Sequence, residues 1–331
     1  MASRVEGDAA TRRGVLRALA VALQTTDSSD RNVALLLSRG FYALAAITYC
    51  LVVLGALVRA HGAGLACPDW PLCFGEVVPK FDFKIAFEWG HRALAGSVGI
   101  LFTILAALAL RPYALRTAMW RGLLVAAVLL ATQIVLGGLT VLELLAYWTV
   151  TSHLVTGNAF ALALVLLGRR LDEIHQPSPV VSTAATSSQR LTTTIAGALL
   201  AIQIVLGGLV ASNYAGLACP DWPTCMNGEY FPSWTGIQGL HLFHRIVGYG
   251  AAIAIGIAAW LGRDHVGSRR WILAAGGIAV AQVAVGVANV LLRVPVEITG
   301  LHSALAAGLI CTMGVSVREV WRQADAASNS D

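Results

Sequence analysis

The stretch Gly64-Leu-Ala-Cys-Pro-Asp-Trp-Pro-Leu-Cys73 returns 152 residues later as Gly216-Leu-Ala-Cys-Pro-Asp-Trp-Pro-Thr-Cys225, with nine of ten positions identical. Each copy follows a long apolar run. Each also precedes a histidine-arginine pair by fewer than twenty residues: His91-Arg92 after the first, His244-Arg245 after the second. Near-identity at one long period marks a duplicated unit. The similarity extends further, because Gln133-Ile-Val-Leu-Gly-Gly-Leu139 recurs verbatim at Gln203 to Leu209 and more loosely from Gln282 to Gly286.

Composition places the duplicated unit in a membrane. Of 331 residues, 57% are hydrophobic and 12% are charged, against about 25% charged in a soluble domain. Eight apolar runs, approximately 40–59, 86–110, 121–142, 145–168, 191–212, 239–262, 271–292 and 296–317, each approach the roughly 20 residues that cross the hydrocarbon core as a helix. They lack the period-two alternation of barrel strands. The net charge of +5 would suggest nucleic acid in a soluble chain. Here the bases sit in short loops and report topology instead, so no nucleic-acid partner is expected.

With the N-terminus inside, 17 bases fall on inner segments and six on outer ones: Arg59, Lys80, Lys84, Arg92, Arg245 and Arg293. The excess sets both termini in the cytoplasm and both cysteine loops on the outer face. Trp70, Trp89, Trp148, Trp222 and Trp234 fall at outer boundaries, and Trp120, Trp260, Trp271 and Trp321 at inner ones, as an aromatic belt requires. Arg17 interrupts the apolar patch before the first run and no small-residue cleavage site follows, so no signal peptide is expected. An unprocessed N-terminus favours a bacterial plasma membrane.

The expected fold is an all-α integral membrane protein. Its eight transmembrane helices form two tandem four-helix bundles related by a pseudo-twofold axis along the membrane normal. Residues 1–38 form a cytoplasmic N-terminal extension with at most an amphipathic turn, and 39–168 the first half. A polar cytoplasmic linker spans 169–190, the second half 191–318 and a cytoplasmic tail 319–331.

Six cysteines are present. Cys50 and Cys311 lie inside apolar runs and read as buried thiols. The other four sit in the outer loops, on the oxidising side, where Cys67–Cys73 and Cys219–Cys225 disulfides are the leading reading. A metal site would draw on His61, whose counterpart is Asn213. Covalent haem attachment would need C-x-x-C-H, which is absent.

Of eight histidines, His175 and His265 fall in inner loops and read as solvated. His91, His153, His244 and His302 begin the second, fourth, sixth and eighth runs. Each half contributes one from its second helix and one from its fourth, at matching depth. One buried histidine is commonly a structural residue, but four in two equivalent pairs point to function. Two facing imidazoles leave zinc short of ligands and suit the two axial positions of a haem. Gly96, Gly99, Gly157, Gly248, Gly250 and Gly308 follow the histidines and offer room for a flat macrocycle, or plain helix packing. At the outer rim, Arg92 and Arg245 are placed either to meet haem propionates or to snorkel. The halves differ at one position: Glu88, one turn before His91, is matched by His241 before His244. A carboxylate beside one pair only assigns chemistry to the first half, against the reading of Glu88 as merely interfacial.

These residues resemble the haem A synthase family. The resemblance covers about residues 40–320, and its specific parts are Glu88-Trp-Gly-His91-Arg92, Thr151-Ser-His153, His244-Arg245 and Leu301-His302-Ser303. It implies oxidation of the C8 methyl of haem O to a formyl group, through successive hydroxylations to a geminal diol that loses water, giving haem A for terminal oxidases. It assigns His244 and His302 to a haem b cofactor, His91 and His153 to substrate haem O, and Glu88 to catalysis. It leaves a redox role for Cys67 and Cys73 open, while Cys219 and Cys225 look structural. An electron donor is required. A haem O synthase and a second copy of the chain are possible partners, with the bilayer as surroundings. The competing readings are a di-haem b electron-transfer cytochrome, a haem carrier or assembly factor and, with less support, a transporter.

Overall fold

A computed structural model describes residues 2–176, 185–265 and 267–328, with side chains for 30–176, 185–265 and 267–322. The centre of the expected linker, 177–184, and the end of the tail, 329–331, lie outside the described residues. Eight helices follow in order: α1 Ala2–Ala60, α2 Phe83–Ala109, α3 Tyr113–Leu142, α4 Tyr147–His175, α5 Ser187–Ser212, α6 Gly236–Gly262, α7 Arg269–Leu291 and α8 Val296–Ser328. All eight are long and apolar enough to cross a membrane, so this is a multi-pass membrane protein. No strand occurs among the described residues; a bridge between Cys73 and Glu76, and another between Met226 and Glu229, are the only β pairing there.

Helices form because a bilayer offers the backbone no other hydrogen-bond partner, and their starts are marked in the sequence. Asp82 caps α2 by accepting from the amides of Lys84 and Ile85. Thr186 and Gln189 make a reciprocal capping box at α5, satisfying donors that the first turn leaves free. Most of each span's surface is unburied. On α2 and α3, Ile100, Ile104, Leu124, Val125, Val128, Ile134 and Val135 face outward, as they should where lipid is as apolar as leucine.

Two cores hold the helices. One draws Phe41, Leu44, Phe102, Leu115, Met119, Phe160, Leu164 and Leu171 from α1 to α4. The other draws Leu200, Ile255, Ile272, Leu309 and Met313 from α5 to α8. The two groups meet where α1 packs on α8 and α4 on α5. Tyr49 Oη donates to the Ala304 carbonyl at 3.0 Å, and the hydroxyls of Thr151 and Ser212 lie 3.1 Å apart. At the cysteine-loop end, the Arg59 guanidinium sits 4.6 Å from the centre of the Tyr214 ring.

The helix ends away from the cysteine loops depart from the sequence reading. The first helix is continuous from Ala2, so residues 2–38 are helical rather than an extension with one turn, and Leu37 already packs in the core. The linker's first residues are the last turns of α4, and the tail's first residues continue α8. There Arg169 bonds Glu319 at 2.7 Å, Arg318 bonds Glu173 at 2.8 Å and Glu319 at 2.9 Å, and Arg322 bonds Glu319 at 3.1 Å. Asp172 accepts hydrogen bonds from Ser38 and Tyr42. A polar composition therefore signalled a buried ion network. The two histidines read as solvated are likewise engaged: His175 Nδ1 lies 2.9 Å from the Arg31 carbonyl, and buried His265 lies 3.1 Å from the Ser268 hydroxyl. Of the two thiols expected inside, Cys50 is exposed on the outer surface of α1 and Cys311 is half-buried.

The loops after α1 and α5 carry the disulfides Cys67–Cys73 and Cys219–Cys225. In the first loop Asp69 accepts from the amides of Phe74 and Gly75 at 2.7 and 2.8 Å. The Gly75 amide foremost, then that of Phe74 and the Arg92 charge, outweigh desolvation and hold its carboxyl below the usual range.

Two predictions follow from these contacts. Glu319 is 1% exposed among three arginines, and Arg169 has no other carboxylate partner among these pairs, so Glu319→Ala is expected to destabilise the protein by about 1–3 kcal/mol, read as early unfolding in a detergent thermal ramp. A depressed carboxyl stabilises above its unfolded value, roughly pH 4, and its contribution is lost as pH falls through the lower folded value. Hydrogen-exchange protection of the Phe74 and Gly75 amides is expected to persist down to roughly pH 4 and to fall below it; Asp69→Asn should remove that pH dependence.

Candidate functional site

The four histidines occupy matching stations. His91 and His244 each come eight residues after the start of α2 and α6, and His153 and His302 each come six after the start of α4 and α8. The structure gathers them into the pairs expected from the sequence, His91 with His153 and His244 with His302, each pair near enough to interact electrostatically.

What the sequence reading missed is how the rings are seated. Each imidazole lies against a glycine of the preceding helix. The Cε1 of His91 is 3.0 Å from where a Cβ on Gly55 would stand, His153 is 3.2 Å from that of Gly137, His244 is 3.2 Å from that of Gly207, and His302 is 3.0 Å from that of Gly286. A methyl at any of the four would press on the ring, so glycine is required for close approach rather than for backbone freedom. Three of these glycines end the repeated Gln-x-x-x-Gly segment, so the signal was present in the sequence but had served only to align the halves. The glycines singled out beforehand divide. Beside Gly157 lies the Gln133 amide, and beside Gly248 the Gln203 amide, whereas nothing approaches within 4 Å of a Cβ on Gly96, Gly99, Gly250 or Gly308.

The donor set fits a haem in each pair. The Nδ1 atoms of His91, His153 and His302 are buried without a hydrogen-bond partner, which is costly at membrane depth unless a ligand or acceptor completes them. Open flanks at Gly96, Gly99, Gly250 and Gly308 leave space along the same helices. A cysteine metal site is not what forms instead. His61 turns away to the Leu57 carbonyl and packs on Phe87 at 4.8 Å, and no cluster of three ligating side chains exists among the described residues.

Above each pair, the disulfide loop is tied down by its arginine. Arg92 donates to the carbonyls of Asp69 and Leu72, both at 2.7 Å, and of Cys67 at 3.2 Å. Arg245 donates to the carbonyls of Cys219 at 2.7 Å, Asp221 at 3.0 Å and Thr224 at 3.0 Å. Both guanidiniums are thus turned into loop backbone rather than free in solvent. The Trp70 indole of the first loop lies over Gly138 of α3, next to the glycine that seats His153.

The asymmetry at Glu88 sits in this framework. Glu88, 4% exposed, accepts from Arg92 through Oε1 at 2.5 Å and from the Cys67 amide through Oε2 at 2.8 Å. His241 takes the same place, with Cys219 N 3.4 Å from its Nδ1 and Arg245 Nε 3.3 Å from its Nε2. A carboxylate accepts on both oxygens, while a neutral imidazole has one acceptor nitrogen, which accounts for the longer contacts. Only the first half places a carboxylate one turn from a paired histidine.

Comparison with known proteins agrees with this geometry. A family described as cytochrome oxidase assembly protein (COX15-CtaA) matches residues 39–86 and 79–313. The chain is 29% identical to the heme A synthase of Shewanella oneidensis, over 85% of this chain and 96% of that one. It is 28% identical to the heme A synthase of Halalkalibacterium halodurans, with 82% and 93% covered. Against a Caulobacter heme A synthase the identity is 30%, with 82% and 92% covered. With paired, glycine-seated histidines on four of eight spanning helices and a family match across nearly all of them, the chain belongs to the COX15-CtaA family of cytochrome oxidase assembly proteins.

Proposed function

We propose that this protein is a haem A synthase, an oxidoreductase that converts the C8 methyl of haem O to a formyl group. The observation that carries the reading is the pairing of two equivalent histidine sites with a carboxylate beside only one. Equivalent sites accept the same kind of macrocycle; a single carboxylate gives one of them chemistry. In this reading the first half, α1 to α4, takes haem O as substrate on His91 and His153. The second half, α5 to α8, keeps haem b as cofactor on His244 and His302. That cofactor supplies one-electron redox chemistry when bound.

The residues of the chain do the rest. His91 and His153 anchor the substrate from opposite helices, and the glycines behind them set how deep each ring sits. Glu88 holds a proton-accepting carboxylate oxygen one turn from His91, with its orientation fixed by Arg92 and the Cys67 amide. It serves as the acid, base or cation stabiliser for a reaction at the ring edge. Tying Glu88 to the loop also ties the reacting half to its outer lid, so that the Cys67–Cys73 disulfide positions the carboxylate. The loop over α6 holds His241 in the same way without supplying a carboxylate. Both termini lie on the cytoplasmic side of a bacterial plasma membrane and both lids on the outer side. Electrons come from a donor outside this chain, and haem O from the enzyme that farnesylates haem.

In a host that makes haem O, haem extraction and chromatography should find haem A formed and one haem b per chain. Glu88→Gln is expected to lower haem A formation by about 100-fold or more while leaving haem b content unchanged. Two haems b per chain with neither haem O nor haem A would overturn the proposal in favour of an electron-transfer cytochrome.

A further inference from the structure

Four residues before each seating glycine, and so on the same helix face, the chain places Gln133 on α3, Gln203 on α5 and Gln282 on α7. The equivalent position before Gly55 on α1 is Leu51. The four positions behave differently. Gln203 Nε2 lies 3.0 Å from His244 Nδ1, and Gln282 Nε2 lies 3.2 Å from His302 Nε2. Gln133 instead donates to the backbone carbonyl of His153 at 2.9 Å, and Leu51 packs against the apolar core. The contrast lies at the second helix of each half: the His244 imidazole contacts the Gln203 amide through Nδ1, whereas Leu51 holds the equivalent place beside His91, whose buried Nδ1 has no partner. The fourth-helix histidines show no such contrast, since the Nδ1 atoms of His153 and His302 are both buried without a partner.

An imidazole that binds iron through one nitrogen carries a proton on the other. An acceptor for that proton fixes the ring plane and raises the basicity of the ligand; losing it typically weakens binding about 10- to 100-fold. The Oε1 atoms of Gln203 and Gln282 are buried and unpartnered, so a half-turn of either amide presents an acceptor to the ring it already touches. Leucine has nothing to present.

We propose that this difference sets how long each half keeps its macrocycle. Gln203 is a positioning residue that locks His244, so that the second half holds its haem permanently. Leu51 leaves His91 without an acceptor, so that the first half binds a haem it can release. This inference rests on the haem A synthase reading, since an enzyme whose substrate and product are both haems needs one retaining site and one exchanging site.

The test uses the full-length protein, purified from a host that makes haem O and haem b. Haem per chain is quantified by extraction and chromatography, release is timed by transfer to an excess of apoglobin, and the haem b midpoint potential is titrated. Gln203→Leu is expected to speed haem b release by about 10- to 100-fold and to raise its potential, because a less basic ligand favours the ferric state less. Gln203→Glu restores an acceptor and is expected to restore retention, which separates loss of the hydrogen bond from loss of the fold. Leu51→Gln is expected to slow release of haem O and haem A by a similar factor, with haem b unaffected. Wild-type release rates in Leu51→Gln and in Gln203→Leu would overturn the inference while leaving the synthase reading intact. Finding no haem O or haem A in any variant would instead remove the reading on which the inference rests.

Discussion

An imidazole buried among apolar helices needs both a space to lie in and a partner for its nitrogens. The bilayer supplies neither, so the rest of this structure is arranged around that requirement. The space comes from Gly55, Gly137, Gly207 and Gly286, where the preceding helix gives up its Cβ and lets the ring approach its backbone. Glutamine amides contact the rings of His244 and His302, while the Nδ1 atoms of His91, His153 and His302 are left open. Because a spanning helix satisfies its own backbone, each odd-numbered helix is free to act as a wall whose small residues fix the depth of a ring on the next helix.

The cysteine loops continue the same logic at the helix ends. Each compact disulfide loop turns carbonyl oxygens inward, and one arginine collects three of them. The residue one turn before the paired histidine then meets both that arginine and the amide of the first loop cysteine. In the first half this residue is Glu88 and in the second His241. One architecture thus carries a carboxylate in one copy and an imidazole in the other without changing the lid. Duplication allowed the halves to diverge by single residues inside a conserved frame, at Glu88/His241 and at Leu51/Gln203.

At the end away from the cysteine loops, charge joins the halves. Arg169 and Glu173 on α4 meet Arg318 and Glu319 on α8. With no hydrophobic effect between helices inside lipid, these pairs, the Tyr49–Ala304 bond, the Thr151–Ser212 contact and the Arg59–Tyr214 contact are specific links between two separately packed cores.

Spans, the repeat, the histidine pairs, the local disulfides and the Glu88/His241 difference were legible in the sequence. Each depends on local composition or on a motif that aligns with itself: apolar run length, cysteine spacing, and identical words 152 residues apart. The seating glycines, the arginines' use of loop carbonyls, the buried ion network of 169–173 and 318–322, and the glutamine contacts were not. Each of those depends on which faces of two helices meet. The same arginine is a topological charge, a propionate partner or a lid anchor depending on what lies within 3 Å of it, and a Gln-x-x-x-Gly segment is only a repeat until the opposing helix brings a histidine to it. The sequence by itself determined that four imidazoles lie at one depth of a duplicated membrane protein. Tertiary packing alone decided which of them has a partner, because hydrogen bonds and close contacts are set by helix rotation and separation, which residue spacing along one helix does not specify.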